Sequence, residues 1–598
     1  MEIERDIKWE PVKGNLLTRW SKEVNPEQPL PEYPRPQLNR EEWLNLNGLW
    51  DYSIRPKEEE MITSFDGKIL VPFPLESALS GVKSKLRGNQ RLWYQRKFSI
   101  PSQWKNKNIL LHFGAVDWET RIWINDKEVG SHKGGYTSFS FEISEYVKYD
   151  GENRLVVSVW DPTDKGGQGR GKQVLRPFAI WYTAVSGIWQ TVWLEPVSNI
   201  HVESIKVEPD IENKLIKISL AIQNHQNVEK IYIEVKEEDN IISSVKEGTN
   251  KTFSIPIPSP KLWSPENPFL YDLIITLKKE NTIVDKIESY FGMRKISLGK
   301  EHNGIRQILL NNKEIFQYGT LDQGWWPDGL YTAPTDNALK YDIEITKKLG
   351  FNLIRKHVKV EPARWYYHCD KVGILVWQDM PNGGKWIASG GDQAGRMNIE
   401  NFKETREVSD QADYYNELIQ MVKMLFNHPS IIMWVPFNEG WGQFRTKEVC
   451  EKIRTLDSLR LINAASGWFD FGVGDICDRH SYPSPFMPNN TEFKSRPYVV
   501  GEFGGLGLEI ENHMWKIRNK FVYRNFQDAF KLMKRYSRLI SQLKKLISKG
   551  LCAAIYTQTT DVEGEVNGLL TYDRELIKMN EDKVRDLNLS LYQHFKDQ

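Results

Sequence analysis

Much that would narrow the choice is missing from this sequence. There are four cysteines in 598 residues: Cys369, Cys450, Cys477 and Cys552. They are far apart and lack CxxC spacing, which excludes a disulfide framework or a zinc knuckle. Neither sign of charge is in surplus. Lys+Arg 80 against Asp+Glu 79 leaves +1, so there is no basic face for nucleic acid and no attraction to an anionic membrane. No apolar run reaches the roughly 18 residues of a membrane span. The N-terminal stretch MEIERDIKWEPVKGN has no apolar core of about 7–15 residues, so no signal peptide is visible. The expectation is a soluble, cytoplasmic protein. Internal repeats and low-complexity tracts are also lacking.

Aromatic residues, by contrast, are plentiful: 12%, with 22 tryptophans. Tryptophan suits either large β-sandwich cores or clefts that take the flat face of a sugar ring. At about 100–200 residues per domain, the length implies three to five domains. The first 200 residues are strand-like: 92–100, 108–113, 119–124 and 154–160 are short, β-branched or aromatic, and separated by turn residues. This predicts a jelly roll over 1–198. Residues 199–297, with 215–222 and 269–277, predict an immunoglobulin-like β-sandwich. From 298 to 598 apolar strands alternate with helical stretches. Strands are expected at 315–319, 351–357, 373–379, 430–437, 459–464, 475–480, 497–502 and 551–557, and helices at 335–349, 408–427 and 524–549. Eight such strands predict a (β/α)8 TIM barrel.

Barrel enzymes carry their chemistry where strands end. The fourth strand leads into Asn438-Glu439-Gly440-Trp441, and the seventh into Glu502. The second ends in Arg355-Lys356-His357, the third in Gln378-Asp379, and the sixth in His480, with Tyr482 beyond. A pair of carboxylates at one barrel mouth suits glycoside hydrolysis, in which one attacks the anomeric carbon and the other passes the proton. Arg355 is the candidate to keep a nucleophile ionised, and Asn438 to bond a ring hydroxyl beside the reacting carbon. His357 and His480 read equally as ligand contacts or structural histidines, and Asp379 as a cap or a pairing partner. Trp441, Tyr482 and Gln558 complete the candidate sugar-binding residues.

Several segments resemble glycoside hydrolase family 2, the family of β-galactosidases, β-glucuronidases and β-mannosidases. Arg91-Leu-Trp-Tyr-Gln-Arg96, Phe113-Gly-Ala-Val-Asp117 and Gly187-Ile-Trp-Gln-Thr-Val-Trp193 resemble its sugar-binding jelly roll. Phe291-Gly-Met-Arg294 is similar to the end of its immunoglobulin-like domain. Asn427-His-Pro-Ser-Ile-Ile-Met-Trp434, leading to Asn438-Glu439, resembles its acid/base signature, and Tyr498-Val-Val-Gly-Glu502-Phe-Gly504 its nucleophile segment. The resemblance implies Glu439 as acid/base, Glu502 as nucleophile, and a retaining exo-β-glycosidase, with β-galactosidase ahead of β-glucuronidase, β-mannosidase or arabinosidase. A non-catalytic carbohydrate-binding protein is the rival from another class. A homo-oligomer is a further implication.

There are departures. Val435-Pro436-Phe437 stands where the family has Ser-Leu-Gly. Gln378-Asp379-Met380-Pro381 replaces the Glu-x-His metal pair of the large β-galactosidases, so neither a metal nor another cofactor is expected. The Asn-x-Lys pair that grips a sugar carboxylate in glucuronidases is not found after Glu502. Asn401-Phe402-Lys403 has the letters but precedes the fourth strand.

Overall fold

The computed structural model describes residues 9–596 apart from 15, 247–249, 301–304, 386–401, 405, 489–494 and 517–518; Asn401 therefore lies outside the described residues. Two antiparallel sheets, of four and six strands, form the first sandwich. Strands Gln90–Ser99 and Glu152–Trp160 pair at the centre of the larger sheet. Between the sheets Trp50, Tyr94, Leu111, Phe113 and Val157 make the core. Sheets of three and four strands make the second sandwich. Its strand Lys230–Glu237 alternates buried Ile231, Ile233 and Val235 with less buried neighbours, the period-2 pattern of a half-buried sheet.

All eight expected barrel strands form: Gln317–Asp322, Leu353–Lys356, Leu375–Asp379, Ile431–Val435, Leu461–Ile462, Cys477–Ser481, Tyr498–Gly504 and Leu551–Thr557. They pair in parallel in the order five, four, three, two, one, eight, seven, six. The ladder is open between strands five and six. That seam is bridged by the Asp475 N–H donating to Ile462 O (2.7 Å) and by carboxylates: Asp475 Oδ2 accepts from Ile462 N–H (2.8 Å), and Asp478 Oδ2 from Asn463 Nδ2 (2.7 Å) and Ser466 Oγ (2.5 Å). At the other end of the barrel, the hairpin of Ile296–Lys300 and Arg306–Leu310 packs Ile296, Ile308 and Leu310 against Leu353, Trp377, Met433 and Ile555. This closes the bottom and leaves the C-terminal ends of the strands as the open face.

Helices Asp336–Lys348 and Val408–Leu425 lie where expected. The third expected helix is shorter than its periodicity suggests. Arg524–Phe526 is a strand, and the helix runs Ala529–Ile547. Asp528 fixes the start, its side chain accepting from Lys531 N–H, which satisfies a first-turn donor that would otherwise be orphaned. Leu532, Tyr536, Leu539, Ile540 and Leu543 form the buried stripe. The tryptophans serve the core first. Among the described residues nine of them, including Trp50, Trp189, Trp377 and Trp434, are fully buried.

Candidate active site

Glu439 stands on a constrained backbone. Its φ is +54°, a left-handed conformation that costs a non-glycine residue about 1–2 kcal/mol. Glu439 N–H donates to Ser466 O (2.9 Å), and Ser466 N–H to Phe437 O (2.9 Å), tying the ends of strands four and five together. Gly440 follows at φ +73°, where an added Cβ would lie 2.5 Å from the Phe469 ring. Strain of this kind persists only where the surroundings fix it, and it collects at functional sites.

Glu502, on strand seven, faces Glu439 across the mouth. One oxygen of each and a ring nitrogen of His480 all lie within 4.8 Å of one another. Glu502 Oε1 accepts from Arg355 Nη1 (3.2 Å), and its Oε2 from the Tyr482 hydroxyl (2.6 Å). Arg355 is fully buried and also forks onto Asp379 through Nε (3.1 Å) and Nη2 (2.9 Å), with Nη2 reaching Asn438 Oδ1 at 2.8 Å. Burial pulls the guanidinium down, but Asp379 and Glu502 outweigh it and hold Arg355 above the ordinary arginine range. Burial also lifts the Asp379 carboxyl to about 6 against the pull of Arg355. The two directions oppose one another, since a raised carboxyl leans toward its neutral form, but at about 6 Asp379 is still ionised at neutral pH and the two-pronged geometry supports the ion pair.

His480 sits between the carboxylates. Its Nδ1 is 2.8 Å from Glu439 Oε1 and 3.4 Å from Glu502 Oε2. Its Nε2 is 2.8 Å from Ser466 Oγ. The single Ser466 proton goes to Asp478 Oδ2, so Oγ accepts from Nε2–H. Nε2 is thus a donor, and with Glu439 ionised Nδ1 donates as well, so that the proton of this pair sits on the ring as an imidazolium and passes to Glu439 when the acid is needed. The surrounding charges agree. Burial pushes His480 down, but Glu502 and the bond to Glu439 raise it above its ordinary value. The 3.3 Å approach of Arg355 Nη1 to Nε2 is then donor against donor and adds no bond.

The protonation of His357 is set from a distance. Glu565 can only accept, so Asn567 Nδ2 donates to it (3.0 Å). Asn567 Oδ1 accepts from Gln558 Nε2 (2.8 Å), and Gln558 Oε1 from Gln323 Nε2 (3.0 Å). Gln323 Oε1 is left to accept from His357 Nδ1 at 2.9 Å. Burial, then the charges of Lys172 and Arg355, hold His357 well below its ordinary value, so the ring is neutral. Its Nε2 is a bare acceptor 3.7 Å from Glu502 Oε1, without a hydrogen-bond partner among the described residues. Such a nitrogen suits a ligand hydroxyl.

Arg355, His357, Asn438, His480 and Tyr482 thus gather at the two glutamates. Gln558 is fully buried and both ends of its amide serve the relay to His357. Trp441 packs edge-on against Trp181, ring centres 5.0 Å apart, with Arg170 over both rings. Sequence reading missed Ser466 and Asp478 behind His480, and also Tyr523. The Tyr523 ring stacks on Tyr482 at 3.7 Å, and its hydroxyl feels the charges of Glu439, Glu565 and Glu502. It missed the jelly roll's share as well: the Tyr182 hydroxyl donates to Glu565, and Thr183 N–H to Glu563 (2.8 Å).

By separation alone Glu439, His480 and Glu502 could also surround a cation. Here the Arg355 guanidinium and the His480 imidazolium already supply the compensating charge, which makes a hydrogen-bonded reaction centre the better fit. A separate cavity of about 710 Å³, where the jelly roll, the second sandwich and the barrel meet, is lined by Trp193, Ile205 and Arg364 among others but by neither glutamate.

Two sandwiches followed by a barrel with paired glutamates at its mouth define a multidomain carbohydrate-active protein. Profiles of Glycosyl hydrolases family 2 match in series: its sugar binding domain over residues 68–195, its central domain over 200–294, and its TIM barrel domain over 304–576. The chain belongs to that family. A β-galactosidase of Thermoanaerobacter pseudethanolicus is 28% identical over 388 residues, 62% of this chain and 47% of that one. A β-glucuronidase of Bacteroides fragilis is 25% identical over 392 residues, 61% of this chain and 52% of its own. The chain therefore spans about half the length of these curated relatives. The solved β-D-glucuronidase of Dictyoglomus thermophilum shares the fold, with TM-score 0.74 and 20% identity over 93% of this chain and 98% of that one. Among the described residues no helix is long and apolar enough to cross a membrane.

Proposed function

We propose that this chain is a retaining exo-β-glycosidase in which Glu502 is the nucleophile and Glu439 the acid/base. The observation that carries the reading is the pair itself: carboxylate oxygens within 4.8 Å of one another. Carboxyl groups about 5–5.5 Å apart leave room for a covalent glycosyl-enzyme and not for a water between them. Glu502 attacks the anomeric carbon while Glu439 gives its proton to the leaving oxygen. In the second half Glu439 takes a proton from water, whose oxygen displaces Glu502. Arg355 and Tyr482 hold the attacking carboxylate in place and charged, and the Asn438 amide offers a donor to the hydroxyl beside the reacting carbon. His357 Nε2 accepts from another hydroxyl, and Trp441 walls the pocket.

The preferred substrate class is a terminal β-galactoside, with β-glucuronide, β-mannoside and arabinoside as the competing sugars. Release of nitrophenol from a panel of aryl β-glycosides of those four sugars tests the reading. Turnover of one with retained configuration is expected. Binding without turnover of any would transfer the chain to the non-catalytic carbohydrate-binding proteins.

A further inference from the structure

A jelly-roll segment is built into the barrel mouth. Arg170 N–H and Gly171 N–H both donate to Asn382 O, at 2.9 and 3.0 Å, just past barrel strand three. Gly171 has φ +56°, and a Cβ there would lie 2.7 Å from Val358 O, next to His357. Only glycine lets the chain pass this close. The next residue is Lys172. Its carbonyl accepts from Tyr182 N–H (2.9 Å), and its ammonium lies 5.5 Å from the centre of the Tyr182 ring.

Lys172 is 9% exposed. Among the described residues its ammonium has neither an ion pair nor a hydrogen bond. Among the described residues the other three buried lysines all have a carboxylate: Lys356 pairs with Asp322 and Glu361, Lys359 with Glu361, and Lys578 with Asp561. The stem of Lys172 is buried while its ammonium keeps an open side, so the cation is held in place without a carboxylate and remains reachable by a ligand. The charge of Lys172 reaches the neutral His357, and those of Glu439 and Glu502 reach the Tyr523 hydroxyl. An anionic group entering this pocket is repelled by the two glutamates and attracted toward Lys172 and His357.

We propose that Lys172, contributed by the jelly roll, is a specificity-determining residue that grips an anionic substituent, carboxylate or sulfate, on the terminal sugar. This rests on the glycosidase reading of Glu439 and Glu502. It differs from a grip supplied by the barrel itself, because the cation comes from a domain that takes no part in bond cleavage.

The test compares kcat/KM on two matched pairs: 4-nitrophenyl β-D-glucoside with the β-D-glucuronide, and 4-nitrophenyl β-D-galactoside with its 6-sulfate. The wild type should favour the anionic member of at least one pair, and which pair responds separates carboxylate from sulfate. In Lys172→Met the anionic-to-neutral ratio should fall about 30-fold or more, chiefly through KM, as expected when one partner of a desolvated charge pair is cut back. Lys172→Arg should keep most of the ratio, and added salt should lower it in the wild type. A ratio unchanged in Lys172→Met, or a preference for the neutral member of both pairs, overturns the proposal. If nothing is hydrolysed the glycosidase reading fails instead. Calorimetric binding of D-glucuronate and galactose 6-sulfate to wild type and Lys172→Met then decides the role of Lys172 alone: binding lost in the variant supports it, and equal or absent binding refutes it.

Discussion

Replacing His480 with glutamine removes the positive charge between the two glutamates while leaving a hydrogen-bonding side chain. The imidazolium makes one close bond to Glu439, 2.8 Å, and a longer contact with Glu502, 3.4 Å. A hydrogen bond to a charged group has a net value of about 1.5–3 kcal/mol. Expressed in the transition state, that is roughly a 10- to 150-fold drop in kcat/KM. The pH dependence gives the sharper readout. His480 is raised above its ordinary value, so its charge is present at pH below that ordinary value and is lost only as pH climbs through the raised one. Its contribution to activity and to stability must fade on the alkaline side. Glu439, as the acid, would also produce an alkaline limb, so the assay uses a 2,4-dinitrophenyl glycoside, whose leaving group needs no proton. The wild type should still lose kcat/KM as pH rises. His480→Gln should be slower at the optimum and lack that limb. A variant with wild-type rate, or with the same alkaline limb on this substrate, would refute the imidazolium assignment.

Four further outcomes are expected. Glu502→Ala should abolish turnover, and azide should restore it as an inverted glycosyl azide; Glu439→Ala with azide should give the retained product, and product NMR that found the opposite pairing would exchange the two roles. Gly171→Ala should raise KM and lower Tm, by about 1–3 kcal/mol of strain at a positive φ, and a variant with unchanged KM would uncouple that segment from the pocket. Glu417 accepts from Gly135 N–H at 3.0 Å, and burial lifts its carboxyl to about 7. A raised carboxyl costs stability as pH rises toward that value, so Glu417→Gln should raise Tm at pH 8 by the equivalent of about 1–3 kcal/mol and change it little at pH 5, as a thermal melt at the two pH values would report. Tyr182→Phe strips Glu565 of a donor and should weaken the relay that fixes His357, seen as a fall in kcat/KM with Tm within a few degrees of wild type.

The barrel could be read from the sequence because its strands are buried on both faces. Runs such as Ile431–Val435 and Tyr498–Val500 are continuously apolar, and each stops at a polar residue that the fold must aim at the mouth. Glu439, Glu502, Arg355 and His480 were legible for that reason. Partners brought together only by closure of the barrel, whether a dozen or hundreds of residues apart, were not. Nothing around Asp478 announces that it closes a seam and receives the proton of Ser466, and the relay from Glu565 to His357 joins residues more than 200 positions apart. The helix expected from 524 shows the limit of periodicity: its amphipathic stripe was visible, but the side-chain bond of Asp528 sets where it begins. One signal for the jelly roll's contribution was present. The polar, glycine-rich stretch from Asp161 to Gln173 is long for a connection between strands, and such loops often carry function.

The bonds from Arg170 and Gly171 to Asn382, and from Thr183 to Glu563, have a meaning for how this molecule changes over generations. A barrel severed from its jelly roll would keep both glutamates yet have an incomplete wall. Reactivity then sits on the barrel, while part of the choice of target is inherited with the jelly roll. Substitutions in the loop from Asp161 to Thr183 can retune what is admitted while the strained turn at Glu439 and the fork of Arg355 stay untouched. New preferences can then be sampled without first sacrificing the chemistry.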